Sequence, residues 1–268
     1  MPYDCESDAA NILENLNCAH IGSVVVFFPE IDSTNNLVKT YLANGADEGL
    51  VVVAESQTGG RGRMGRAWHS PPEVGVYLSV LLKPPIEPDH LPHFTLLAGV
   101  AAVLTVNEFS HPPASLKWPN DVLIHGKKVC GLLCELTQNQ GEPSGLIIGI
   151  GFNVNHLPDQ FPEDLKNTAT SLRVINSCLT DRLAVIRSFL MNLDHEYQIY
   201  LKEGPRPMIE KWGLNTDLFG KKVAITRGPD ITTGTAMRLD ESGRLVLRRD
   251  DGHEETFDSG EVTLRMST

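Results

Sequence analysis

The first part of the chain alternates continuous apolar runs, which are typical of buried strands, with segments whose apolar residues have helical spacing. Strands are predicted at residues 23–30, 50–55 and 76–83, and helices at residues 6–16, 31–45 and 89–109. Ser33 or Thr34 provides an N-cap for the second helix, and Gly45 provides its end. Roughly the first hundred residues are therefore predicted to contain both strands and helices.

The middle of the chain contains three further β-like runs. They cover residues 115–118, residues 121–136 with a turn at Gly126, and residues 144–155. Residues 156–172 contain Pro, Asp and Asn but show no periodicity, which predicts a mobile loop or lid. Thr180 is then predicted to cap a helix that reaches about Lys202.

The pattern changes near Asn215, where long elements give way to short β-like runs. These runs are KVAIT, TGTAMRL, RLVLRR, ETF and EVTLR, separated by the turn sequences RGPD, DESG and DDG. Several short strands in a short segment are typical of a small barrel or curled sheet. We therefore predict two domains, residues 1–216 and residues 217–268.

Composition and charge narrow the classes of protein. The 268 residues are 41% hydrophobic and 21% charged, which is typical of a globular protein. The net charge of -11 argues against a protein that coats nucleic acid. The chain has no run of 18 apolar residues and no basic, apolar leader, so we expect a cytoplasmic protein without a membrane span.

The five cysteines are an odd number and contain no CxxC motif. Free thiols in a reducing compartment are therefore expected. Cys130 and Cys134 lie four apart in a β-like run and face the same side, so a metal pair is conceivable. Core packing is the favoured interpretation, because free cysteine is commonly buried.

The sequence GGRGRMGR at residues 59–66 concentrates three arginines among glycines. Gly60, Gly62 and Gly65 match G-x-G-x-x-G, but the Pro71-Pro72 pair makes the helix that a dinucleotide fold requires improbable. The Gly-Lys-Ser/Thr of a P-loop is absent. An ordinary solvated basic turn is one interpretation. The other is a site for two anions, such as a carboxylate and a phosphate, held by guanidinium groups and backbone N–H groups.

Other polar segments have both structural and functional interpretations. KWPND places Lys117 at a strand end, although a lysine can lie beside a buried tryptophan by chance. DSTN at 32–35 is also a common helix cap. Trp68 beside the loop suits the core or one wall of an apolar pocket, and GIGFNVN at 149–155 could be a simple bulge.

Taken in order, DSTN, ESQTGGRGRMGRAW, KWPNDV, KVCGLLCE and GIGFNVN resemble the biotin protein ligases. The resemblance runs from about residue 28 to the C-terminus and is weaker after residue 216. It implies an α+β fold: a mixed sheet with flanking helices, similar to class II aminoacyl-tRNA synthetase cores, plus a small SH3-like C-terminal β-barrel domain. It also implies that biotin and ATP, with Mg²⁺, form biotinyl-5′-AMP, and that a lysine of a biotin carboxyl carrier protein then takes the biotin. The usual carrier is the acetyl-CoA carboxylase subunit.

The resemblance carries individual roles onto matching positions. Lys117 and Arg63 are expected to act as the catalytic clamp on the α-phosphate. The residues expected to contact biotin are Ser33, Thr34, Asn35, Gln57, Arg61, Gly62, Arg63, Lys117, Gly131 and Leu133. The residues expected to contact the nucleotide are Arg63, Trp68, Lys117, Asn120, Asn153 and Arg265.

The chain departs from the family pattern in three places. Met64 stands where many members carry an arginine, and residues 156–172 lack the tryptophan that some members stack on adenine. About 20 residues precede the first predicted strand, too few for the winged helix-turn-helix of some members, so a ligase without DNA binding is expected.

Three alternative functions stay open on the sequence. A lipoate or octanoate ligase would share the fold, although Ser33, Thr34, Gln57 and Arg61 favour a ureido head group over a plain acyl chain. A biotin-responsive DNA regulator and a non-catalytic carrier-binding protein are the other two. A monomer and a homodimer both fit the sequence.

Overall fold

The computed structural model describes residues 5–85, 90–139 and 142–264, and is built around a seven-stranded mixed sheet. Its strands are β1 (Val24–Ile31), β2 (Leu50–Gln57), β3 (Gly75–Leu82), β4 (Ser115–Lys117), β5 (Asp121–Ile124), β6 (Lys127–Asn139) and β7 (Glu142–Asn153). The strand order is β1-β2-β3-β7-β6-β5-β4, in which β1 and β2 are parallel and the remaining pairs are antiparallel. The predicted strands of this region are thereby confirmed.

Six helices of the described residues flank the sheet. They are α1 (Cys5–Leu13), α2 (Thr34–Ala43), α3 (Leu91–Glu108), α4 (Leu172–Asn176), α5 (Arg182–Glu203) and α6 (Arg206–Leu214). The longest apolar one, α3, packs against α5, α6 and β6. By length and composition α3 could cross a membrane, but 67% of it is buried within the fold, which is the pattern of a core helix.

The helix boundaries confirm some predicted signals and correct others. Ser33 occupies the N-cap of α2, and Gly45 follows the helix with a φ of +87°, a conformation that glycine adopts without steric cost. The predicted cap at Thr180 is wrong, because the carboxylate of Asp181 accepts the 2.9 Å hydrogen bond from the Leu183 N–H. Helix α6 was not predicted, since glycine and proline surround it, yet proline is tolerated in a first helical turn.

The C-terminal region forms a second, five-stranded antiparallel sheet. Its strands are β8 (Lys222–Arg227), β9 (Asp230–Leu239), β10 (Leu245–Arg248), β11 (Glu254–Phe257) and β12 (Glu261–Leu264), in the order β11-β10-β9-β8-β12. One contiguous cluster of buried hydrophobic side chains runs through both sheets. The predicted α+β class is confirmed, while the boundary at residue 216 stays a prediction.

The segment predicted as a loop or lid is irregular and carries one three-residue 3₁₀ turn, Pro158–Gln160, before α4. It is packed against the large sheet. The backbone of Lys128 donates to Thr168 O (2.7 Å) and accepts from Thr170 N (2.9 Å). Phe161 is buried and stacks on the buried ring of His156, with 5.0 Å between the ring centroids. This segment therefore forms one wall of the site described next.

Candidate active site

A cavity of about 360 Å³ opens on the large sheet between α2, the glycine–arginine loop (residues 59–66) and the irregular segment. That volume lies within the range of small-molecule sites. The structure brings thirteen of the sequence-predicted residues to its lining: Ser33, Thr34, Asn35, Gln57, Arg61, Gly62, Arg63, Trp68, Lys117, Asn120, Gly131, Leu133 and Asn153. Arg265 lies outside the described residues.

One end of the cavity is polar but shielded from water. The Gln57 side-chain carbonyl accepts from the backbone N–H of Thr34 (2.9 Å) and from its hydroxyl (3.2 Å). Gln57 Nε2 donates to Ser70 Oγ (2.9 Å), and Ser79 Oγ lies 2.7 Å from Thr34 Oγ1. Ser33 and Thr34 are buried in the wall. Such a chain of fixed donors and acceptors suits a ligand with a compact polar head, because unmatched buried polar groups are costly.

The floor of the cavity depends on glycines in neighbouring strands. Gly131 of β6 pairs with Gly151 of β7, and the indole of Trp68 lies directly against both. A Cβ at Gly151 would overlap the ring, so only glycine permits this approach. The indole Nε1 is buried and has no hydrogen-bond partner among the described residues. Trp68 therefore forms an apolar wall of the cavity, which is one of its two predicted placements.

The middle of the cavity is cationic, although the whole chain is acidic. Five cationic side chains line it, Arg61, Arg63, Arg66, Lys117 and Lys128, against two carboxylates, Asp121 and Glu261. Arg63 Nη1 donates to Asn120 Oδ1 (3.2 Å). Burial lowers the pKa of the Arg63 guanidinium below its usual range, but an arginine stays protonated in a protein. An excess of positive charge in a confined space favours anionic ligands.

Lys128 is one of the charged cavity residues that sequence reasoning missed. Its Nζ lies 2.5 Å from Asp121 Oδ1 and 5.1 Å from the centroid of the Trp68 ring. The KWPND motif pointed to its lysine, Lys117, whereas Lys128 was assigned only to the β-like run 121–136. One signal in the sequence could have identified Lys128. It lies at the start of β6, four residues after the end of β5, and β6 pairs with β5, which carries Asp121.

The glycine–arginine loop is a compact turn closed by its own backbone. Gly62 N donates to Arg66 O (2.7 Å), and Trp68 N donates to Gly60 O (2.9 Å). Met64 adopts a φ of +58° and is 69% exposed, so it faces solvent rather than the cavity. A cation at this position would therefore lie outside the cavity in this arrangement. No dinucleotide-type helix follows the loop, as the Pro71-Pro72 pair predicted.

Three groups near the cavity, one histidine and two cysteines, stay uncharged at neutral pH. Burial and, to a smaller extent, the nearby His69 together lower the pKa of His156 to about 4. Burial raises the pKa of the Cys134 thiol to about 12 and that of Cys130 well above its usual value. Cys130 belongs to the core cluster and Cys134 packs against it. Both thiols therefore fill space instead of reacting.

Comparison with known proteins agrees with this geometry. Residues 27–153 match the biotin/lipoate A/B protein ligase family, and residues 218–265 match the biotin protein ligase C-terminal domain. The chain is 36% identical to the bifunctional ligase/repressor BirA of Bacillus subtilis, over 88% of this chain and 73% of that one. It is 33% identical to the biotin--[acetyl-CoA-carboxylase] ligase of Mycobacterium tuberculosis, over 80% of this chain and 79% of that one.

A solved structure shows the same fold. The biotin protein ligase of Aquifex aeolicus in complex with biotin and ATP superposes with a TM-score of 0.79 at 32% identity, covering 91% of this chain and 100% of that one. Both sheets and the intervening helices thus have counterparts in a single relative. With the matched family models and the cavity in the large sheet, these similarities establish that the chain belongs to the biotin protein ligase family.

Proposed function

We propose that this protein is an ATP-dependent biotin protein ligase. The observation that carries the proposal is a single cavity with a buried polar end, an apolar glycine-and-tryptophan floor and five cationic side chains. The carboxylate of biotin attacks the α-phosphorus of ATP, the bond to the β-phosphate oxygen breaks, and pyrophosphate leaves. The amine of a carrier lysine then attacks the acyl carbon of biotinyl-5′-AMP, AMP departs, and the amine proton passes to solvent.

The polar end is assigned to the ureido head of biotin. Ser33, Thr34 and Gln57 offer hydroxyl and amide groups there. The side chain of Asn35 is already engaged by Leu133 O (3.3 Å) and Glu135 (2.7 Å), so its role is to fix the wall beneath biotin. Gly131 and Leu133 line the channel along β6.

The cationic middle is assigned to the reacting anions. Lys117, Lys128 and Arg63 surround the place where the carboxylate meets the α-phosphate. Their charge offsets the repulsion between the two anions and stabilises the charge that builds on the phosphoryl oxygens. Asn120 holds Arg63 in place (3.2 Å), and Asn153 and Trp68 are assigned to the nucleotide side. Arg265 lies outside the described residues, and its contact with the nucleotide stays a prediction.

Mg²⁺ is assigned to the bound ATP, beside the carboxylates of the cavity. Among the described residues, no three His, Cys, Asp or Glu side chains come together as a metal cluster. Mg²⁺ commonly uses one or two carboxylates together with substrate phosphates. Asp121 and Glu261, which line the cavity, suit a Mg²⁺ ion that arrives with ATP.

The partner is assigned as a biotin carboxyl carrier protein of acetyl-CoA carboxylase or a related carboxylase. Two relatives, from Mycobacterium tuberculosis and Paracoccus denitrificans, are biotin--[acetyl-CoA-carboxylase] ligases. We place the reaction in the cytoplasm, and the free thiols of Cys18, Cys130, Cys134 and Cys178 support this.

Exchange of labelled pyrophosphate into ATP tests the first half-reaction. Exchange is expected with biotin and not with lipoate or octanoate. Exchange with lipoate or octanoate alone would indicate a ligase of the lipoyl branch of the family. Binding of biotin without exchange would indicate a non-catalytic binding protein. Transfer is then followed by mass spectrometry on an apo carrier domain, with an acceptor Lys→Arg carrier as the control that stays unlabelled.

A further inference from the structure

Glu135 on β6 lies outside the cavity lining but next to the loop that covers it. Its side chain is 23% exposed and receives polar groups from two directions. Lys39 Nζ lies 2.7 Å from Oε1, and Asn35 Nδ2 donates to Oε2 at 2.7 Å. The carboxylate is thus held in a fixed orientation by α2.

The fixed carboxylate faces Arg61 of the glycine–arginine loop. Arg61 Nη2 lies 3.6 Å from Glu135 Oε2 and donates to Asn36 Oδ1 at 2.5 Å. Asn36 in turn donates to Asp32 Oδ2 (2.6 Å), whose backbone carbonyl accepts from Gly59 N (2.8 Å). Arg61 is therefore bound on the α2 and β6 side by a charged network, whereas Arg63 reaches only the neutral amide of Asn120.

The charge state of Glu135 agrees with this arrangement. Burial by itself raises the pKa of this carboxyl, but the hydrogen bonds from Lys39 and Asn35 and the positive charge of Arg61 lower it to a value below the usual one. Glu135 is therefore ionised throughout the physiological pH range. Its negative charge attracts the positive charge of Arg61 in the loop. Both side chains are partly shielded from solvent, so their attraction is less screened than at an open surface.

We propose that Glu135 is a positioning residue that binds Arg61 and so holds the glycine–arginine loop closed over the cavity. Closure places Arg63 over the reacting anions and excludes water from the acyl-adenylate. Glu135 does not touch either substrate. Its effect on the reaction rests on the proposed function, whereas its effect on the loop is a property of the ligand-free protein and is measured separately.

Limited trypsin digestion tests the loop directly, because Arg61, Arg63 and Arg66 are cleavage sites only when the loop opens. In Glu135→Gln, cleavage within residues 61–66 is expected to be about two- to fivefold faster than in the parent, the range for loss of one partly exposed ion pair. Cleavage after Arg244, in the turn between β9 and β10, is the internal reference and keeps its rate, because Arg244 pairs with Asp240 and not with the loop.

Lys39→Met is the matched control. It removes the other cation bound to Glu135 but leaves the carboxylate free to bind Arg61. Its loop is expected to be cleaved no faster than the parent loop. Either of two results would overturn the proposal. Equal acceleration in both variants would indicate a general loosening of the cluster. No acceleration in Glu135→Gln would show that Glu135 does not hold the loop.

Kinetics separate positioning from catalysis. In Glu135→Gln, the KM for biotin is expected to rise and free biotinyl-AMP to escape two- to fivefold faster, while kcat for adenylate formation at saturating biotin stays within twofold. A fall in kcat with unchanged KM would contradict the positioning role. If the parent protein forms no adenylate, the proposed function fails, but the trypsin comparison still decides whether Glu135 holds the loop.

Discussion

At the scale of single residues, the three loop arginines differ in how firmly they are bound. Arg61 is part of a charged network on α2 and β6. Arg63 donates to the amide of Asn120, and the exposed Arg66 makes a 3.5 Å ion pair with Glu261 of β12. Arg66 is readily released to a ligand, since exposed ion pairs contribute little. Arg63 gives up a single hydrogen bond to a neutral amide, while Arg61 anchors the loop.

Removing the charge of Lys128 is expected to slow adenylate formation. Lys128 is bound to Asp121 and lies over Trp68, so its ammonium is aimed into the cavity before ligands arrive. Lys128→Gln should lower the single-turnover rate by about 10²-fold, the usual cost of losing one fixed electrostatic stabiliser. Lys127→Gln is the matched control, because its exposed neighbour Lys127 is absent from the cavity lining. Equal rates for the two variants would exclude this role.

The buried ring of His156 makes stability depend on pH. The pKa is about 4 in the folded protein and 6.5 in the unfolded reference, so the unfolded state binds more protons between these values. Stability contributed by this ring is complete above pH 6.5 and is lost as pH falls, by about 2 kcal/mol between pH 7.5 and 5. Urea unfolding should show that His156→Phe, which keeps the stack on Phe161, removes this part of the pH dependence. If the variant kept the parent's difference in unfolding free energy between pH 7.5 and 5, His156 would not be the source of the pH dependence.

At the scale of elements, strands β6 and β7 form the floor because their glycines allow side chains to approach the backbone. Gly151 admits the Trp68 ring, and Gly149 admits the side-chain amide of Asn35 from α2. In both cases a Cβ would occupy the space of the packed group. The GIGFNVN sequence therefore reflects close approach of neighbouring groups and not a simple bulge.

Gly151→Ala is expected to displace Trp68 and to raise the KM for ATP about tenfold. The overlap forces the indole away from the floor, and overpacking of this kind typically costs about 1–3 kcal/mol. Steady-state kinetics and urea unfolding measure both effects. Gly213→Ala in α6 is the control, because its Cβ would meet Phe219 at an ordinary 3.4 Å. A Gly151→Ala variant with the parental KM would show that the wall does not depend on this approach.

Sequence patterns predicted the elements better than the contacts between them. Apolar runs located β1 to β3. The order of the motifs predicted that residues of α2, the glycine–arginine loop and the KWPND turn belong to one site. Ser79 escaped notice because it lies in an apolar strand, VYLSVLL, and only the folded sheet shows its hydroxyl beside Thr34. Lys128 and Glu135 escaped for the same reason: their roles depend on partners in other elements, which periodicity does not reveal.

At the scale of the whole molecule, the two sheets share one hydrophobic core. The large cluster includes Leu116 and Trp212 of the first region together with Leu218 and Val223 of the second. Hydrogen bonds also link the two sides of residue 216, since Thr216 Oγ1 donates to Leu116 O (2.7 Å) and accepts from Leu218 N (3.2 Å). The boundary predicted there is a change of sequence pattern, whereas the packing is continuous across it.

A polar contact joins the two sheets at a second place. His93 of α3 is 4% exposed and lies between two partners. Its Nε2 is 2.9 Å from Glu241 O in the β9–β10 turn, and its Nδ1 is 3.2 Å from the Tyr200 hydroxyl of α5. A neutral ring satisfies both by donating from Nε2 and accepting at Nδ1. Burial lowers the pKa of His93, which favours this neutral form.

Because the core and this contact both cross between the sheets, the described regions are expected to unfold together. Differential scanning calorimetry should give one transition whose calorimetric and van't Hoff enthalpies agree. Two resolved transitions would show that residues 217–268 form an independent folding unit.

His93→Ala leaves Glu241 O without its donor and should lower the midpoint temperature of the single transition by a few degrees. A lost buried hydrogen bond costs about 1–3 kcal/mol, and a chain of this size loses roughly 2–4 °C per kcal/mol. If the variant instead split the transition in two, the polar contact and not the shared core would be what couples the sheets.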